Sequence, residues 1–267
     1  MFFLSWGSYT EDKLIKSEIQ KLMTDSYSPV VKIFDYSMLE GLPGPVEKYF
    51  RNVLPEGTPF IQSVRLEQDG YLMTKPGGNW RRMTAYQYYS TTEPGFVWRG
   101  KLKIIPFTSV TARDKYYRGK GEMRIRFADN FNMALVTGEE MDISALLRYF
   151  TEGVWFPTAL LPGSKLRWEA VDSVSAKAYF TDNDLTVSCL FFFNDSGEIV
   201  RLTTNERYMF KDGANVREKW TVHCGNYKEF SGIKIPTYAE VEWNLAEGDY
   251  KYFKADITEV QYDVHKE

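Results

Sequence analysis

The sequence predicts an α+β protein, mainly antiparallel β, in which a strongly curved sheet (a half-barrel or open barrel) carries N-terminal helices and a central helix packed on or in it. Apolar residues recur at helical spacing within residues 10–54 and near 140–156, whereas from about residue 60 the period is otherwise two. Ten or more sequential strands with short connections and no alternating helices are typical of an antiparallel meander. Such a sheet has to close, curl or be covered, because long exposed edges invite aggregation.

Helices are predicted in two places. Residues 1–55 combine apolar residues at helical spacing with several prolines, so we expect two or three short helices packed on the sheet. A central helix is expected over about residues 140–156, where Gly138-Glu139-Glu140 leads into one apolar face and Pro157 bounds it. The apolar positions of that face are Ile143, Leu146, Leu147, Phe150 and Val154.

Strands are predicted wherever polar and apolar residues alternate. The clearest case is residues 122–127, where Glu, Arg and Arg alternate with Met, Ile and Phe. We expect four or five strands before residue 138, at 80–89, 96–105, 107–118, 122–127 and 131–136, and further strands at 166–170, 174–180, 185–193, 199–203, 216–224, 233–244 and 250–262. Residues 56–267 would thus form the sheet with its inserted helix, and the whole chain would form one domain.

Charge and hydropathy narrow the classes of partner. The chain has 33 basic and 36 acidic residues and a formal net charge of −3, so neither sign dominates enough for a nucleic-acid or an anionic-membrane surface. No stretch approaches the roughly 18 apolar residues of a membrane span. The apolar run Met1–Trp6 is short and lacks the basic flank of a secretory signal, so we expect a cytoplasmic protein. The sequence leaves the oligomeric state open.

We expect neither a metal nor another cofactor. The two histidines, His223 and His265, and the two cysteines, Cys189 and Cys224, show no metal-binding spacing. Adjacent residues of a strand point to opposite faces, so His223 and Cys224 would not share a metal. Whether Cys189 and Cys224 form a disulfide stays open, because two cysteines alone do not identify an oxidising compartment.

Two pairs of charged residues are candidate site residues. If the central helix continues through Glu152, Arg148 and Glu152 lie one turn apart and can pair, so that Arg148 would orient Glu152 as a cavity carboxylate. The alternative is a structural clamp between helix and sheet. Arg113 and Asp114 occupy a predicted strand, with Asp114 on the more apolar face, where a carboxylate is costly unless it is paired or hydrated. For Asp114 the alternatives are an inward structural ion pair and a solvated face.

Aromatic residues are abundant, with 18 Tyr, 18 Phe and 7 Trp, and they fall on both faces of several predicted strands. Something therefore has to cover the second face, either helices or a ligand. The rings nearest the charged candidates, and thus candidate ligand contacts, are Trp98, Tyr117, Tyr149 and Trp155. Asp172 would add a third carboxylate, but its position at the start of a turn also fits an Asx-turn.

Several local motifs together resemble an uncharacterised bacterial protein family of unknown function over roughly residues 40 to 262. The most specific motif is the run from Arg148 to Leu161. The others are Leu42-Pro43-Gly44-Pro45-Val46-Glu47-Lys48-Tyr49, Pro94-Gly95-Phe96-Val97-Trp98, Arg113-Asp114 with Tyr117 and Gly119-Lys120-Gly121, and Ile235-Pro236 before Trp243. This resemblance implies no established activity.

A more distant resemblance concerns the C-terminal part. Residues 227–236, Tyr-Lys-Glu-Phe-Ser-Gly-Ile-Lys-Ile-Pro, with the strands that follow to Tyr262, are similar to the closing hairpins of lipoprotein-carrier-like half-barrel proteins. That resemblance implies a concave apolar surface that holds acyl chains or other apolar ligands. Such carriers work in the periplasm, and this sequence shows no export signal. The resemblance therefore implies a similar shape rather than the same function.

Three hypotheses of function follow. The first is binding of an apolar or amphipathic small molecule in the concavity, near the four aromatic candidates, with Arg148, Glu152, Arg113 and Asp114 orienting its polar end. The second is a cofactor-free enzyme that uses Glu152 or Asp114 as general acid or base. The third is a non-catalytic scaffold that acts through its surface. The sequence does not decide whether the protein is an enzyme.

Overall fold

The computed structural model describes residues 2–105 and 108–264. Pro106 and Phe107, at the predicted boundary between two strands, and His265, one of the two histidines, lie outside these ranges. Within the described part of the chain, no helix is both long and apolar enough to cross a membrane.

Three α-helices and thirteen strands make up the described chain. The helices are α1 (Phe2–Ser26), α2 (Gly44–Val53) and α3 (Glu139–Glu152), with 3-10 turns at Tyr36–Leu39, Gly153–Trp155 and Pro157–Leu160. The strands are β1 (Ser63–Leu72), β2 (Arg81–Ser90), β3 (Gly95–Ile105), β4 (Thr108–Tyr117), β5 (Lys120–Phe127), β6 (Phe131–Val136), β7 (Leu166–Ala170), β8 (Ser175–Asp182), β9 (Leu185–Phe193), β10 (Ile199–Lys211), β11 (Ala214–Phe230), β12 (Ile233–Leu245) and β13 (Gly248–Tyr262).

All thirteen strands belong to one antiparallel sheet. Its order is β6-β5-β4-β3-β2-β1-β13-β12-β11-β10-β9-β8-β7, so two meanders are joined where β1 pairs with β13, with Val64 opposite Tyr262 and Leu72 opposite Phe253. The edges of the sheet are β6 and β7, which do not pair with each other. The predicted fold class is confirmed: the protein is mainly antiparallel β with helices packed on and in the sheet.

The position of α3 shows how strongly the sheet curves. On one side, a Cβ at Gly121 of β5 would lie only 2.8 Å from the Cβ of Ala145, and on the other the backbone N–H of Tyr208 in β10 donates to Ser144 Oγ at 3.3 Å. These strands are eight spacings apart in the sheet, which is about 38 Å if flat. A helix is about 10–12 Å across. The sheet therefore wraps round α3, which lies across its concave face.

One end of the wrapped sheet, which we call the lower edge, carries the β1–β2, β3–β4, β5–β6, β10–β11 and β12–β13 turns. Turns of a meander alternate between ends, so the β8–β9 turn points the same way, but it lies higher, where Asn183 meets Gly119 of the β4–β5 turn. Below α3, towards this edge, lies the part of the concave face that we call the lower half. Above α3 the concavity is filled by a core that includes Tyr49, Phe50, Phe150, Phe180 and Phe191.

Helix α1 packs on the convex face, not in the concavity. Its Ile15, Leu22 and Met23 are buried against Val97 of β3, with Tyr86 and Tyr88 of β2 beside them. The rings that the sequence places on both faces are thus covered from two sides, by α1 outside and by α3 and the upper core inside. The sequence alone did not separate these two positions for the helices.

Element boundaries agree with the sequence patterns in most places, but α1 is one helix of 25 residues rather than one of the short helices expected in residues 1–55. Six strands rather than four or five precede residue 138, because β1 (Ser63–Leu72) was not identified as a strand. Strands β10 and β11 run further than predicted, to Lys211 and from Ala214. Cys189 and Cys224 are free thiols, and burial raises the pKa of Cys224 to about 12, so this thiol is protonated at neutral pH.

Candidate functional site

Arg148 is the centre of a polar cluster on the concave face, which we call the Arg148 cluster: Gln87, Tyr89, Asp114, Arg148 and Glu152. From α3, Arg148 donates through Nε to Glu152 Oε1 at 2.9 Å, through Nη1 to Asp114 Oδ2 at 2.6 Å and through Nη2 to Gln87 Oε1 at 3.3 Å. Glu152 Oε2 accepts from Gln87 Nε2 at 2.8 Å and from the Tyr89 hydroxyl at 3.0 Å. Helix α3 is thereby tied to β2 and β4.

The indole of Trp98 forms the floor beneath this cluster. The guanidinium carbon of Arg148 lies 4.9 Å from the Trp98 ring centroid, and Trp98 Nε1 donates to Gln68 Oε1 on β1 at 3.0 Å. The indole lies along the sheet over Gly100, where an added Cβ would come within 2.1 Å of Trp98 Cη2. Glycine at position 100 is therefore what permits this flat indole.

The Arg148 cluster carries two carboxylates for one guanidinium, a formal charge of −1 at a largely buried place. Burial acts to lower the pKa of Arg148, but the charges of Glu152 and Asp114 outweigh it, and the pKa lies above its usual range. The pKa of Tyr89 is raised by burial first and then by the charge of Glu152, so its hydroxyl remains a donor. At neutral pH Arg148 is therefore a cation and Tyr89 a hydrogen-bond donor.

Two buried polar atoms beside Trp98 have no hydrogen-bond partner among the residues that the structure describes. They are Asp114 Oδ1, an acceptor, and Gln68 Nε2, a donor. Unpaired buried polar atoms of this kind are rare in native structures and each costs about 1–3 kcal/mol. Hydrogen-bonding capacity therefore remains unused around the Arg148 cluster.

Below the cluster, six apolar side chains on the two walls of the lower half keep slight access to solvent. They are 5–8% exposed: Ala85, Trp98, Leu102, Val222, Val241 and Trp243. In the upper core Leu66, Phe96, Tyr116, Leu202 and Ile235 are fully buried at 0%, and Phe180 is 5% exposed. Arg148 and Glu152 themselves are 13% and 14% exposed. A space next to the Arg148 cluster is thus reached by solvent, although every lining residue is mostly buried.

An apolar cleft of about 740 Å³ opens at the lower edge, with Met73, Trp80, Met209, Leu245 and Tyr250 among its lining residues. A row of rings leads from it up the wall, because Tyr250 lies 6.0 Å from Tyr252, which stacks on Trp243 at 6.1 Å. The lower half therefore has apolar walls from the lower edge to the Arg148 cluster.

Arg207 of β10 adds a cation to the wall opposite Trp98. Its guanidinium carbon lies 4.5 Å from the Trp220 ring centroid, and Nη1 donates to Ser144 O on α3 at 3.2 Å. Ser144 and Arg148 are one helical turn apart, which is about 5.4 Å. Among the residues that the structure describes, no carboxylate forms an ion pair with Arg207, and Glu218, opposite it on β11, pairs with Lys211.

The structure brings together four of the eight candidate residues. Trp98, Asp114, Arg148 and Glu152 meet in and beneath the Arg148 cluster. The remaining four lie elsewhere, as the next two paragraphs describe, so the predicted set divides between three places in the fold.

Tyr149 and Trp155 belong to the upper core. The Tyr149 hydroxyl donates to the carbonyl of Ser90 at 3.0 Å, and Trp155 Nε1 donates to the carbonyl of Pro236 at 3.1 Å. Both side chains hold the end of α3 and the turn after it against the sheet.

Arg113 and Tyr117 lie on the convex face under α1. Arg113 pairs with Glu18 and Glu122, and the Tyr117 hydroxyl donates to Asp25. Neighbouring residues of a strand face opposite sides, which separates Arg113 from Asp114. Asp172 forms an Asx-turn, since its Oδ1 accepts from Val174 N at 2.9 Å.

Sequence reasoning missed Gln68, Gln87, Tyr89 and Arg207. A signal for the glutamines existed, because each interrupts an apolar face at alternate positions: Gln87 follows Met83 and Ala85, and Gln68 follows Val64 and Leu66. Nothing in the sequence singles out Arg207, since its approach to Ser144 depends on the curl of the sheet round α3.

The arrangement suits binding better than acid–base chemistry. The oxygens of Glu152 already accept from Arg148, Gln87 and Tyr89, so a substrate proton would compete with three donors. Asp114 Oδ2 is likewise engaged by Arg148, and its free Oδ1 is shielded from solvent. The groups that remain accessible are the partly exposed Arg148 and Glu152 and the apolar walls.

The model of one protein family, described as a family of unknown function (DUF6544), matches residues 32–255. This match confirms the resemblance to a family of unknown function that the motifs indicated. A search of the curated proteins found no match.

Three solved structures show a partial likeness. A DUF1329 family protein from Desulfovibrio piger is 14% identical, covering 78% of this chain and 88% of its own, with a TM-score of 0.45. A putative outer membrane lipoprotein-sorting protein domain from Vibrio parahaemolyticus is 9% identical, with 77% and 87% covered and a TM-score of 0.44. A LolA superfamily protein from Nitrosomonas europaea is 12% identical, with 83% and 93% covered and a TM-score of 0.42.

Proposed function

The chain belongs to the DUF6544 family of unknown function, and from its geometry we propose that the lower half of the concave face binds an apolar or amphipathic small molecule. The apolar part would lie between the wall of β2–β4 and the wall of β10–β12. The polar end would meet the Arg148 cluster.

One observation carries this proposal: the solvent-reached space beside the Arg148 cluster has apolar walls. Trp98 and Leu102 on one side and Val222 and Val241 on the other are 5–8% exposed, and the adjacent Arg148 and Glu152 are 13% and 14% exposed. Replacement of the water at such surfaces by an apolar molecule lowers the free energy of the system. Binding pockets of this composition, mostly apolar with a few convergent polar groups, are typical of small-molecule sites.

The polar groups favour an amphipathic ligand over a purely apolar one. Arg148, Glu152 and Arg207 all reach the space, and a hydrocarbon alone would leave their outer polar atoms without water. An alkyl chain of about eight carbons would contribute roughly 6 kcal/mol at about 0.8 kcal/mol per buried CH₂. Because the loss of rigid-body freedom costs about 4 kcal/mol or more, the alkyl chain alone would bind no tighter than about millimolar, and a tighter complex needs the polar contacts of the other end.

The test uses 1-N-phenylnaphthylamine, a neutral apolar fluorophore whose emission rises on burial. The purified protein should enhance its fluorescence saturably, and a medium-chain alkyl amphiphile should displace it. Ala112→Trp places a large ring on the concave face of β4, beside Gly100, and should reduce probe affinity at least fivefold. Val241→Trp fills the opposite wall and should act in the same direction.

Thr84→Trp is the matched control, because Thr84 is exposed on the convex face of β2 next to the inward Ala85. It should leave probe affinity unchanged. Absence of saturable fluorescence with the wild-type protein, or equal affinity in Ala112→Trp, Val241→Trp and wild type when all three are folded by circular dichroism, would refute the proposed site.

A further inference from the structure

The edge strand β6 presents an exposed apolar surface close to the lower edge. Phe131, Met133 and Leu135 are at least 60% exposed, and Phe127 on β5, opposite Phe131, is 39% exposed. We call these four side chains the lower-edge patch. By the strand pairing, Phe127 and Phe131 lie on the concave side and Leu135 on the convex side, so the patch wraps round the edge strand.

This edge strand lacks the usual protection against association. Its six residues, Phe-Asn-Met-Ala-Leu-Val, contain no charge and no proline, and its outer backbone groups pair with no strand among the described residues. Exposed strand edges in soluble proteins normally carry lysine, proline or a covering loop. An exposed apolar patch without such protection is typical of an interaction surface.

Helix α1 points its N-terminal turns past the same edge. Its contacts follow β4 and β5 in order: Asp25 binds Arg118 at the upper end, Glu18 binds Lys115, and Glu11 binds Arg126, one residue from the end of β5. The nine residues before Glu11 continue the helix to Phe2 and extend it by about 13 Å.

Because the net charge of the chain is −3, contact with anionic lipid has to rest on local basic side chains. Lys101 and Lys103 lie on β3, two to three strands from the patch, are exposed on the convex face of its lower part, and form no ion pair within the described ranges. Phe210, the penultimate residue of β10, adds an exposed ring on another side of the lower edge. Aromatic and aliphatic residues with flanking lysines, spread over separate elements, fit a lipid surface better than one protein segment.

We propose that the lower edge docks on the surface of a lipid bilayer with anionic head groups, so that the mouth of the concave site faces the lipid. The lower-edge patch would enter the head-group region, and Lys101 and Lys103 would contact lipid phosphates. This peripheral contact needs no membrane-spanning element.

The experiment is co-sedimentation of the full chain with vesicles of phosphatidylcholine and with vesicles of phosphatidylcholine and phosphatidylglycerol. We expect binding to the anionic vesicles, reduced by high salt. Phe131→Glu and Leu135→Glu should each lower the bound fraction at least fivefold, and Lys101→Glu with Lys103→Glu should lower it on anionic vesicles.

Val30→Glu is the matched control, because Val30 is 75% exposed in the segment that follows the upper end of α1. It should bind vesicles as the wild type does. The inference is overturned if the wild type does not sediment with vesicles, or if Val30→Glu loses binding as much as Leu135→Glu. It is also overturned if Leu135→Glu only converts a dimer into a monomer in sedimentation equilibrium, since a second copy would then cover the patch.

The two proposals fail separately. Phe131→Glu and Leu135→Glu leave the Arg148 cluster and both apolar walls intact, so fluorophore binding should persist in them at the wild-type affinity. If the protein binds vesicles but not the fluorophore, the proposed docking surface stands and the proposed binding site is refuted. If it binds the fluorophore but not vesicles, only the docking surface is refuted.

Discussion

Arg148 Nη1 donates to Asp114 Oδ2 at 2.6 Å, and this ion pair joins α3 to the concave face of β4. Both side chains are largely buried, and Arg148 also satisfies Glu152 and Gln87. Removal of one partner from a buried pair leaves an uncompensated charge, which is far more costly than the net contribution of the pair. Removal of either charge alone should therefore strongly destabilise the packing of α3, the helix that divides the concavity.

Arg148→Met should lower the free energy of unfolding by about 3–5 kcal/mol, because two carboxylates lose their counter-charge. Urea denaturation followed by circular dichroism measures it. Arg167→Met is the control, since its pair with Glu169 is exposed and should contribute under about 1 kcal/mol. Equal effects of the two substitutions would contradict the structural role of Arg148.

Gly100→Ala should displace the Trp98 indole, since the new methyl would overlap Trp98 Cη2. A loss of about 1–3 kcal/mol is expected from overpacking, together with a shift in tryptophan emission. The matched control is Gly225→Ala in β11, where an added Cβ meets nothing within 4 Å. That change should be neutral or stabilise the strand by up to about 1 kcal/mol. A silent Gly100→Ala variant would show that the indole does not lie over this glycine.

Tyr116→Phe should weaken the contact between β4 and β8, which lie far apart in the order of the sheet. The Tyr116 hydroxyl donates to Asp182 Oδ2 at 2.8 Å, and Asp182 retains Lys165 at 2.6 Å when the hydroxyl is lost. We expect a cost of about 1–2 kcal/mol and faster amide exchange in β8. Tyr71→Phe, at a ring that is 45% exposed, should leave both quantities unchanged.

The attachment of α1 should weaken in acid. The hydrogen bond from Tyr117 lowers the pKa of Asp25 below its ordinary 3.8, slight burial opposes it, and Arg118 adds to the lowering. Because the folded-state pKa is depressed, the stabilisation is complete above about pH 3.8 and disappears as the pH falls through the folded-state value. The stability difference between wild type and Asp25→Asn should therefore be largest near pH 6 and shrink below pH 4. A constant difference from pH 6 to 3 would contradict this.

Local patterns were sufficient for most of the elements. The alternation at residues 122–127 and the apolar stripe from Ile143 to Val154 are properties of neighbouring residues, and β5 and α3 formed where they predicted. Strand β1 escaped because its face combines Leu66 with Gln68 and Gly70, which weakens the alternation. Boundaries such as Lys211 of β10 depend on pairing with a neighbour and were therefore underestimated.

Only half of the candidate site was predictable, because sequence patterns report local spacing and not contacts between distant strands. Arg148 and Glu152 lie one helical turn apart, so the sequence alone could pair them, and the apolar face around Asp114 pointed inward. Arg113 and Tyr117 were grouped with them by proximity in sequence, although strand geometry places them on the convex face under α1. Gln87 and Arg207 come from strands far apart in the chain, and no local pattern links them.

The sequence by itself determined the class of fold, the position of the central helix and the charged residues that this helix carries, because periodicity and spacing are local properties. Only the tertiary structure decided which face α1 covers, that α3 divides the concavity, and that the space below it is reached by solvent. These outcomes depend on how far the sheet curls. The curl is set by close approaches between distant residues, such as Gly121 to Ala145 and Tyr116 to Asp182, which no segment encodes alone.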